Sequence, residues 1–455
     1  MMLAALAGYV LLQLAIAYWA SRKIAGDADY LVAGRRLGLF AVGISVFATW
    51  FGGETVIGST ATIATEGIAG ARAEPIGYAL CLILAALLVA GQLRARGYMT
   101  LADFFRDRFG PRAEVAAALV AIPTSVVWAA AQLLALASII AVVAGLPVQL
   151  TLVGAAGLVI VYTLLGGLLG DVITDIVQSV VVLTGLVLLL VLLFMRAGGI
   201  GEGLAMIQPE QLVLVPEGES WIARLDAFAI PILGSIVAQE MIARFLGART
   251  ARIAVRGGLI AGAAYLVVGF IPLTFGLIAP HLGFDPAEGD LFLPNLARDL
   301  LPGALFVVFV GSLFSAVLST VDSALLAVSA LSTENIYARL RPEADEREKL
   351  VAARVLTVAA GLCAYAVATS GETIYGLVEI ASSLGSAGLL VSLLVGLRTR
   401  FGGEASALAA LAGGLATIAV AEYVFAVPGA FMLSILMAGL AYALAGLVLV
   451  RPVRA

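Results

Sequence analysis

The sequence predicts an all-α protein that crosses a membrane many times, and three observations support this prediction. Its 455 residues are 62% hydrophobic and only 12% charged, whereas the apolar share of a soluble domain is nearer to half. Apolar stretches of about 20 residues, the length that spans a bilayer as a helix, recur along the whole chain. The polar segments between them are short, and none resembles a linker between domains. We therefore expect a single integral membrane domain over residues 1–455.

Hydropathy predicts thirteen spans. The first, at 3–20, could instead be a cleaved signal peptide. Signal peptides carry basic residues before the apolar run, whereas Arg22 and Lys23 follow it, so we interpret it as an extra amino-terminal helix. The other spans are predicted at 38–65, 74–93, 113–145, 149–168, 171–197, 225–247, 253–280, 301–328, 351–369, 374–397, 405–425 and 429–450.

The basic residues predict the orientation of these spans, because Lys and Arg are enriched in cytoplasmic loops. With the amino terminus outside, only four of the 26 basic residues fall in outside loops, which leaves 22 inside. The four outside residues are Arg72, Arg196, Arg224 and Arg298. The carboxyl terminus, with Arg451 and Arg454, is then inside. The segment 98–110 has apolar and basic faces at helical spacing, and we expect it to lie along the inner surface.

Composition excludes several kinds of chemistry. His281 is the only histidine, so no site with two histidine ligands to haem, zinc or copper can form. Cys81 and Cys363 are far apart in apolar runs and form no CxxC pair. The two lysines, Lys23 and Lys349, follow no G-x-x-x-x-G stretch, so we expect no ATP site. There is no nucleophile elbow either. We expect neither enzymatic activity nor binding to nucleic acid.

Two predicted helices carry breaks near mid-membrane. ATWFGGET (48–55) pairs two glycines with Glu54, and PILGSIVAQE (231–240) combines proline, glycine and Glu240. Broken membrane helices expose carbonyls and half-helix ends that can hold ions or solutes. Most glycines in membrane helices are packing residues, but an adjacent intramembrane acid favours a functional interpretation.

The second break comes five helices after the first, and a five-helix block that is repeated must insert upside down. The sequence therefore predicts an inverted repeat made of blocks 38–197 and 225–397, with both broken helices at its axis. Two further helices, at 405–450, follow the repeat.

The segment 311–337 places many oxygen atoms on one helix face. Ser319, Asp322 and Ser323 are spaced so that they converge on one point, and hard cations take oxygen ligands. Hydroxyl groups can instead bond to their own helix or to a neighbouring one, but an unpaired intramembrane Asp is costly. Asp175, in GDVITDIVQ (170–178), could reach the same cation, or it could lie at the cytoplasmic edge of the bilayer.

Three segments give the chain a resemblance to a known family. ADYLVAGRRLG (28–38), YTLLGGLLGDVITDIVQ (162–178) and SAVLSTVDSALLAVSALSTENIY (315–337) match, in order and spacing, patterns of the sodium:solute symporter family. The resemblance covers nearly the full length and implies a LeuT-type inverted-repeat fold with thirteen helices. It also implies a main sodium site made of the carbonyls of Ala48, Phe51 and Ala316 and the hydroxyls of Ser319 and Thr320.

The resemblance further implies a second sodium site, which some members possess. By position it would use Asp175 with Ser319 and Ser323. Asp322 stands where a serine ligand is often found, and this departure leaves the geometry of the second site open.

Within the family, the chain is most similar to the high-affinity choline transporters. The similarity is carried by ATWFGG (48–53), PIGYALCLILAALL (75–88), RARGYMTLADFF (94–105), VWAAA (127–131) and RLDAFAIPILGSI (224–236). Those transporters surround a quaternary ammonium with aromatic rings, and Trp50, Tyr78 and Trp128 fall on three of the wall positions. Ala238 replaces the tryptophan of the fourth wall, and Met241 replaces another aromatic residue. The expected substrate-binding residues are Trp50, Gly52, Gly53, Glu54, Tyr78, Trp128, Ala238, Gln239, Glu240 and Met241.

Three acids, Glu54, Glu240 and Glu379, lie within predicted spans and at or facing the expected cavity. Carboxylates beside aromatic rings suit a cationic amine. The alternative is that these acids pair with backbone and sodium, or carry protons, without touching the substrate. Arg244, at the inner end of the seventh span, is interpreted as a topology and gating residue rather than a substrate ligand.

Together these observations predict a sodium-coupled importer in a cell membrane, most simply the inner membrane of a bacterium. The expected partners are sodium, a small organic solute and the lipid bilayer, and an organic amine such as choline or a betaine-like compound is the first choice of solute. An amino acid, monocarboxylate, sugar or vitamin is the alternative. A sensor that binds solute without moving it is a further alternative, but such sensors usually append a signalling domain, and few residues follow Arg451.

Overall fold

The computed structural model describes residues 2–21, 27–371 and 373–449. Within these ranges all regular structure is helical, apart from a single bridge between Leu37 and Ala248, so the predicted all-α class is confirmed. Arg22, Lys23, Arg451 and Arg454, which entered the prediction of orientation, lie outside the described residues.

The long helices follow the predicted spans closely, and we number them α1–α13. Their bounds are α1 (Met2–Ser21), α2 (Leu39–Trp50 and Glu54–Gly70), α3 (Ile76–Arg96), α4 (Pro111–Ala144), α5 (Val148–Leu165), α6 (Gly167–Arg196), α7 (Trp221–Val237 and Gln239–Gly247), α8 (Ala251–Leu282), α9 (Gly303–Leu340), α10 (Glu346–Ala368), α11 (Ile374–Ser383 and Ser386–Arg398), α12 (Glu404–Tyr423) and α13 (Ala430–Val448). Among the described residues, nine unbroken helices are long and apolar enough to cross a bilayer, and three bent pairs raise the count to as many as twelve. Counting α1 as a thirteenth span stays a prediction.

Three helices are bent within their apolar runs. The halves of α2 meet at 54°, those of α7 at 45° and those of α11 at 43°. The first two bends coincide with the breaks expected at 48–55 and 231–240. The third, at Leu384 and Gly385, was not predicted. It depends on one glycine with a φ of +77°, a backbone conformation that other residues rarely adopt, and neither a proline nor an acid marks it in the sequence.

Helix α9 is the most deeply buried element. Every residue from Phe309 to Thr333 is buried, so the helix is covered by protein on all sides over that length. It packs against α4, α5, α6 and α10 and also contacts α2 and α7. Its buried hydroxyl and carboxyl groups therefore face other helices rather than lipid. These groups belong to Ser312, Ser315, Ser319, Thr320, Asp322, Ser323, Ser329, Ser332 and Thr333.

The segment 98–110 contains the predicted helix, at Leu101–Arg108. A capping box formed by Thr100 and Asp103 starts it. Phe104 and Phe105 are fully buried, and Asp103 accepts a hydrogen bond from Asn335 Nδ2 at 3.0 Å. The apolar face of this helix is thus docked on the protein, beneath the end of α9.

Helices α11 and α12 approach so closely that a glycine is required between them. A Cβ built on Gly388 would lie 2.6 Å from the carbonyl oxygen of Ala410 and 2.6 Å from the Cα of Leu411. These are backbone atoms, which cannot move aside without shifting a helix.

We expect Gly388→Ala to destabilise the protein by about 1–3 kcal/mol, because an added methyl group has to separate the two helices. Gly439→Ala on α13 is the matched control, since nothing lies within 4 Å of a Cβ at that position. Thermal unfolding of the purified protein in detergent measures both variants. Equal melting temperatures for the two would contradict the close approach.

Candidate functional site

The break in α2 is held open by a side chain of α4. The backbone N–H of Gly53 donates a hydrogen bond to Gln132 Oε1 at 2.8 Å, and Gln132 Nε2 donates to Glu54 Oε2 at 2.6 Å. Gly53 has no room for a side chain, because a Cβ there would lie 2.4 Å from the Cβ of Ala135. Gln132 therefore satisfies one backbone N–H at the break and also fixes the position of the Glu54 carboxylate.

Four of the five groups expected at the main sodium site lie together where α2 meets α9. Ser319 Oγ is 3.1 Å from the carbonyl oxygen of Ala48 and 3.0 Å from that of Ala316. Thr320 Oγ1 is 3.4 Å and 3.1 Å from the same two oxygens. The fifth residue, Phe51, follows the first half of α2 directly and has a non-helical ψ of 66°. The arrangement offers the neutral oxygen ligands that hard cations take.

Arg244 lies among the residues expected at the second sodium site. Its guanidinium is fully buried and forms an ion pair with Asp171 on α6, while Asp175 Oδ2 lies 4.0 Å away. The same Nη2 also contacts Ser323 Oγ on α9. A positive charge of the protein itself thus stands beside Asp175 and Ser323.

The acids around Arg244 differ in their hydrogen bonds. Asp175 Oδ2 accepts a hydrogen bond from Ser45 Oγ on α2 at 2.5 Å, and Asp171 Oδ2 accepts one from Ser323 Oγ at 3.0 Å. Neither carboxylate oxygen of Asp322 has a hydrogen-bonding partner in suitable geometry among the described residues. Asp175 is fully buried, which disfavours the alternative that it lies at an exposed edge.

The three expected aromatic walls form one cluster. The ring centroids of Trp50 and Trp128 are 5.4 Å apart, and that of Tyr78 lies 6.2 Å from the first and 6.1 Å from the second. Tyr265 joins the cluster, with its ring 6.1 Å from Tyr78. All four rings are buried, and they contact one another directly in this conformation.

Two small cavities adjoin this cluster. One is lined by Ser125, Trp128, Ala238, Glu240 and Ser382, and we call it the Trp128 cavity. The other is lined by Tyr78, Pro231, Tyr375, Glu379 and Ser382, and we call it the Tyr375 cavity. Ser382 lines both, and its hydroxyl accepts a hydrogen bond from Ser235 Oγ at 3.1 Å.

The three acids expected to face one cavity lie in three different places. Glu54 is buried at the break in α2 and lines neither cavity. Glu240 lines the Trp128 cavity, and its Oε1 has no hydrogen-bonding partner among the described residues. Glu379 lines the Tyr375 cavity and pairs with Arg72 at 3.2 Å.

Two other expected substrate contacts point elsewhere. Gln239 Oε1 accepts a hydrogen bond from the backbone N–H of Leu101 at 2.8 Å, which ties α7 to the docked helix. Met241 is fully buried in the apolar core and lines neither cavity.

Several polar residues of this region were not predicted from the sequence. Gln132, Asp171, Glu74 and Tyr265 were not singled out, although Asp171 lies in a segment that was. Glu74 is 2% exposed, and its two carboxylate oxygens share the one proton of Tyr265 OH in a bifurcated hydrogen bond, at 2.7 and 2.8 Å. Tyr265 OH also lies 2.6 Å from Thr55 Oγ1. The sequence carried a signal for Gln132 and Asp171, because a polar or ionisable side chain in a membrane span is a functional candidate.

We expect Arg244→Met to destabilise the protein by about 3–5 kcal/mol, because it leaves buried carboxylates without their cation. Asp171→Asn should cost less, since Arg244 keeps Asp175 as a neighbour. The double variant should be more stable than Arg244→Met alone. Thermal unfolding in detergent measures all three, and additive losses in the double variant would show that the two residues do not interact.

Comparisons with known proteins agree on one family. The profile of the sodium:solute symporter family matches residues 30–417. The high-affinity choline transporter 1 of Drosophila melanogaster is 28% identical over 392 residues, which cover 83% of this chain and 63% of that protein. The chain thus spans less than two thirds of that relative's length. The sodium/proline symporter of Escherichia coli (strain K12) is 27% identical over 393 residues, covering 82% and 78% of the two chains.

Among solved structures, a Na⁺-coupled sialic acid symporter in a substrate-bound, outward-open state has a similar fold. The TM-score is 0.78 at 18% sequence identity, and the match covers 98% of this chain and 97% of the other. This likeness establishes the LeuT-type fold. The matched family and relatives are transporters and not enzymes. Because the family profile covers most of its length, the chain belongs to the sodium:solute symporter family.

Proposed function

We propose that this protein is a sodium-coupled importer of a small organic solute, with an organic amine such as choline or a betaine-like compound as the first choice. The observation that carries the proposal is the position of the first half of α2. Its Ala48 carbonyl meets the Ser319 and Thr320 hydroxyls of α9, while Trp50, two residues later, joins the aromatic cluster. An ion and a solute would thus bind to the same short piece of chain.

The coupling follows from which helices the ion joins. Sodium bound between α2 and α9 favours the conformation in which these helices contact each other. A ligand shifts a conformational equilibrium only through its different affinities for the two states. Sodium would therefore stabilise the state that admits solute from outside, and closing and rocking of the bundle would release both ligands to the cytoplasm.

We place the protein in a cell membrane with thirteen spans, the amino terminus outside and the carboxyl terminus inside. In this topology the five-helix blocks 38–197 and 225–397 form the inverted repeat. The bends of α2 and α7, at 54° and 45°, fall at corresponding positions of the two blocks, which supports the repeat.

The aromatic and acidic residues around the site favour an organic amine as the substrate. Trp50, Tyr78 and Trp128 present aromatic faces, which attract a quaternary ammonium. Their centroids lie only 5.4–6.2 Å apart, so the rings must separate to admit one. Glu240 is a buried acid that lines the same cavity as Ala238. A negative charge there favours a solute with an ammonium group over one that carries only a carboxylate. The similarity to a choline transporter supports this choice.

An amino acid is the alternative substrate, favoured by the similarity to a sodium/proline symporter. At the second sodium site, we propose that the guanidinium of Arg244 supplies a positive charge of the protein beside Asp175 and Ser323, and that Asp322 adds a further acid there.

Uptake of radiolabelled choline into proteoliposomes, with and without an inward sodium gradient, tests the function. Accumulation that needs the gradient supports the proposal. Uptake of proline, with no uptake of choline, would replace the substrate while leaving the sodium coupling intact.

We expect Ser319→Ala and Thr320→Ala each to raise the sodium concentration for half-maximal uptake roughly tenfold, because each removes an oxygen that touches the ion. Ser329→Ala is the matched control on the same helix, since its hydroxyl bonds to the Ala353 carbonyl instead. Sodium titrations of uptake, normalised to the amount of protein in the vesicles, measure the effect. Unchanged sodium dependence in both variants would contradict the assignment.

We expect Trp128→Leu to weaken choline binding about two- to thirtyfold, the loss of one cation–π contact of about 0.5–2 kcal/mol. Trp221→Leu, at a position that is 67% exposed, controls for the loss of a tryptophan. Competition of unlabelled choline against labelled substrate gives the affinities. Equal affinities for the two variants would remove Trp128 from the site.

A further inference from the structure

Three oxygen atoms surround the point that a side chain at Gly52 would occupy. A Cβ built there would lie 2.7 Å from Glu54 Oε2, 2.7 Å from Thr320 Oγ1 and 2.8 Å from Gln132 Oε1. Any other residue at position 52 would push these atoms apart. The point itself is one covalent bond from the Gly52 Cα and is too close to it for an ion. Because position 52 is a glycine, however, three oxygens from α2, α4 and α9 can lie close together beside the backbone, and hard cations bind among grouped oxygens of this kind.

The three oxygens keep lone pairs for such a ligand. Gln132 Oε1 accepts only the Gly53 N–H among the described donors, and a carbonyl oxygen has two lone pairs. The Thr320 hydroxyl directs its proton to the carbonyls of Ala316 and Ala48, which leaves its oxygen free to coordinate. Glu54 Oε2 accepts one hydrogen bond, from Gln132 Nε2. The hydrogen bonds thus fix the orientation of all three groups without saturating them.

The charge of Glu54 is not balanced by the protein. The residue is 1% exposed, its Oε1 has no hydrogen-bonding partner, and no ion pair among the described residues includes it. A carboxylate in the membrane interior is costly unless a cation or a proton neutralises it. Glu74 is a second buried acid without an ion pair among the described residues, but it accepts a hydrogen bond from Tyr265 OH and takes no part in the group around Gly52.

The neighbours of Glu54 favour sodium over the solute as its cation. Glu54 lines neither the Trp128 cavity nor the Tyr375 cavity, so it is separated from the space offered to the solute. Thr320 belongs both to this group and to the group of Ala48, Ala316 and Ser319. We propose that Glu54, held by Gln132, is the charged ligand of the coupling sodium ion beside Gly52. This inference rests on the proposed sodium coupling and adds a carboxylate to its ion site.

Glu54→Gln tests the inference on the purified full-length protein in detergent. It keeps the size of the side chain and removes the charge. Glu74→Gln is the matched control, the same change at an equally buried acid outside the group. Sodium binding is measured by calorimetry and by the rise of the melting temperature with sodium chloride, with N-methyl-D-glucamine chloride as the sodium-free reference. Neither readout depends on transport or on the identity of the solute.

We expect Glu54→Gln to weaken sodium binding at least about tenfold, whereas Glu74→Gln changes it less than about threefold. Without sodium, Glu54→Gln should melt above the unchanged protein, because it relieves an unbalanced buried charge. If Glu54→Gln and Glu74→Gln bind sodium with the same affinity, the inference is overturned, and a proton rather than sodium would neutralise Glu54. Loss of choline binding with unchanged sodium binding also overturns it and moves Glu54 to the substrate. Absence of sodium binding to the unchanged protein would instead contradict the proposed function itself.

Discussion

The contact between the interrupted helix α2 and the buried helix α9 is the interaction on which the rest of the site depends. A continuous helix would keep its carbonyls within its own hydrogen-bond ladder and its axis straight. At Gly52 and Gly53 the hydrogen-bond ladder stops, and Gln132 of α4 accepts a hydrogen bond from the Gly53 N–H that the break exposes. The 54° bend then places Ala48 against the hydroxyls of α9 and Trp50 against Tyr78 and Trp128. One local interruption therefore sets the position of both the oxygen group on α9 and the aromatic cluster.

The spans could be predicted from the sequence because each depends only on local composition. An apolar run of sufficient length has to be helical in a bilayer, since no water is present to satisfy its backbone. The bends of α2 and α7 were also predictable, because glycine or proline lies next to an acid there. The bend of α11 was not, because Gly385 looks like the many packing glycines of the chain until its φ is known.

The candidate site was predictable in part. Ser319 shares a helix face with Asp322 and Ser323, and the resemblance to a family supplied Thr320, Ala48 and Ala316. Gln132 and Asp171 show the limit of such reasoning. The partner of each lies on another helix, 78 residues away in sequence for Gln132 and 73 for Asp171. Hydropathy predicts that helices exist, but not which faces meet, so it could not pair Gln132 with Glu54 or Asp171 with Arg244.

Ser382 separates the Trp128 cavity from the Tyr375 cavity. It lines both cavities, and across it α7 and α11 touch at backbone distance, since a Cβ on Gly234 would lie 2.1 Å from the Ser382 carbonyl oxygen. The partition between the two spaces is therefore about one residue thick and is closed by the hydrogen bond between two hydroxyls. A small shift of one half-helix at this point would therefore be enough to join the two spaces into one.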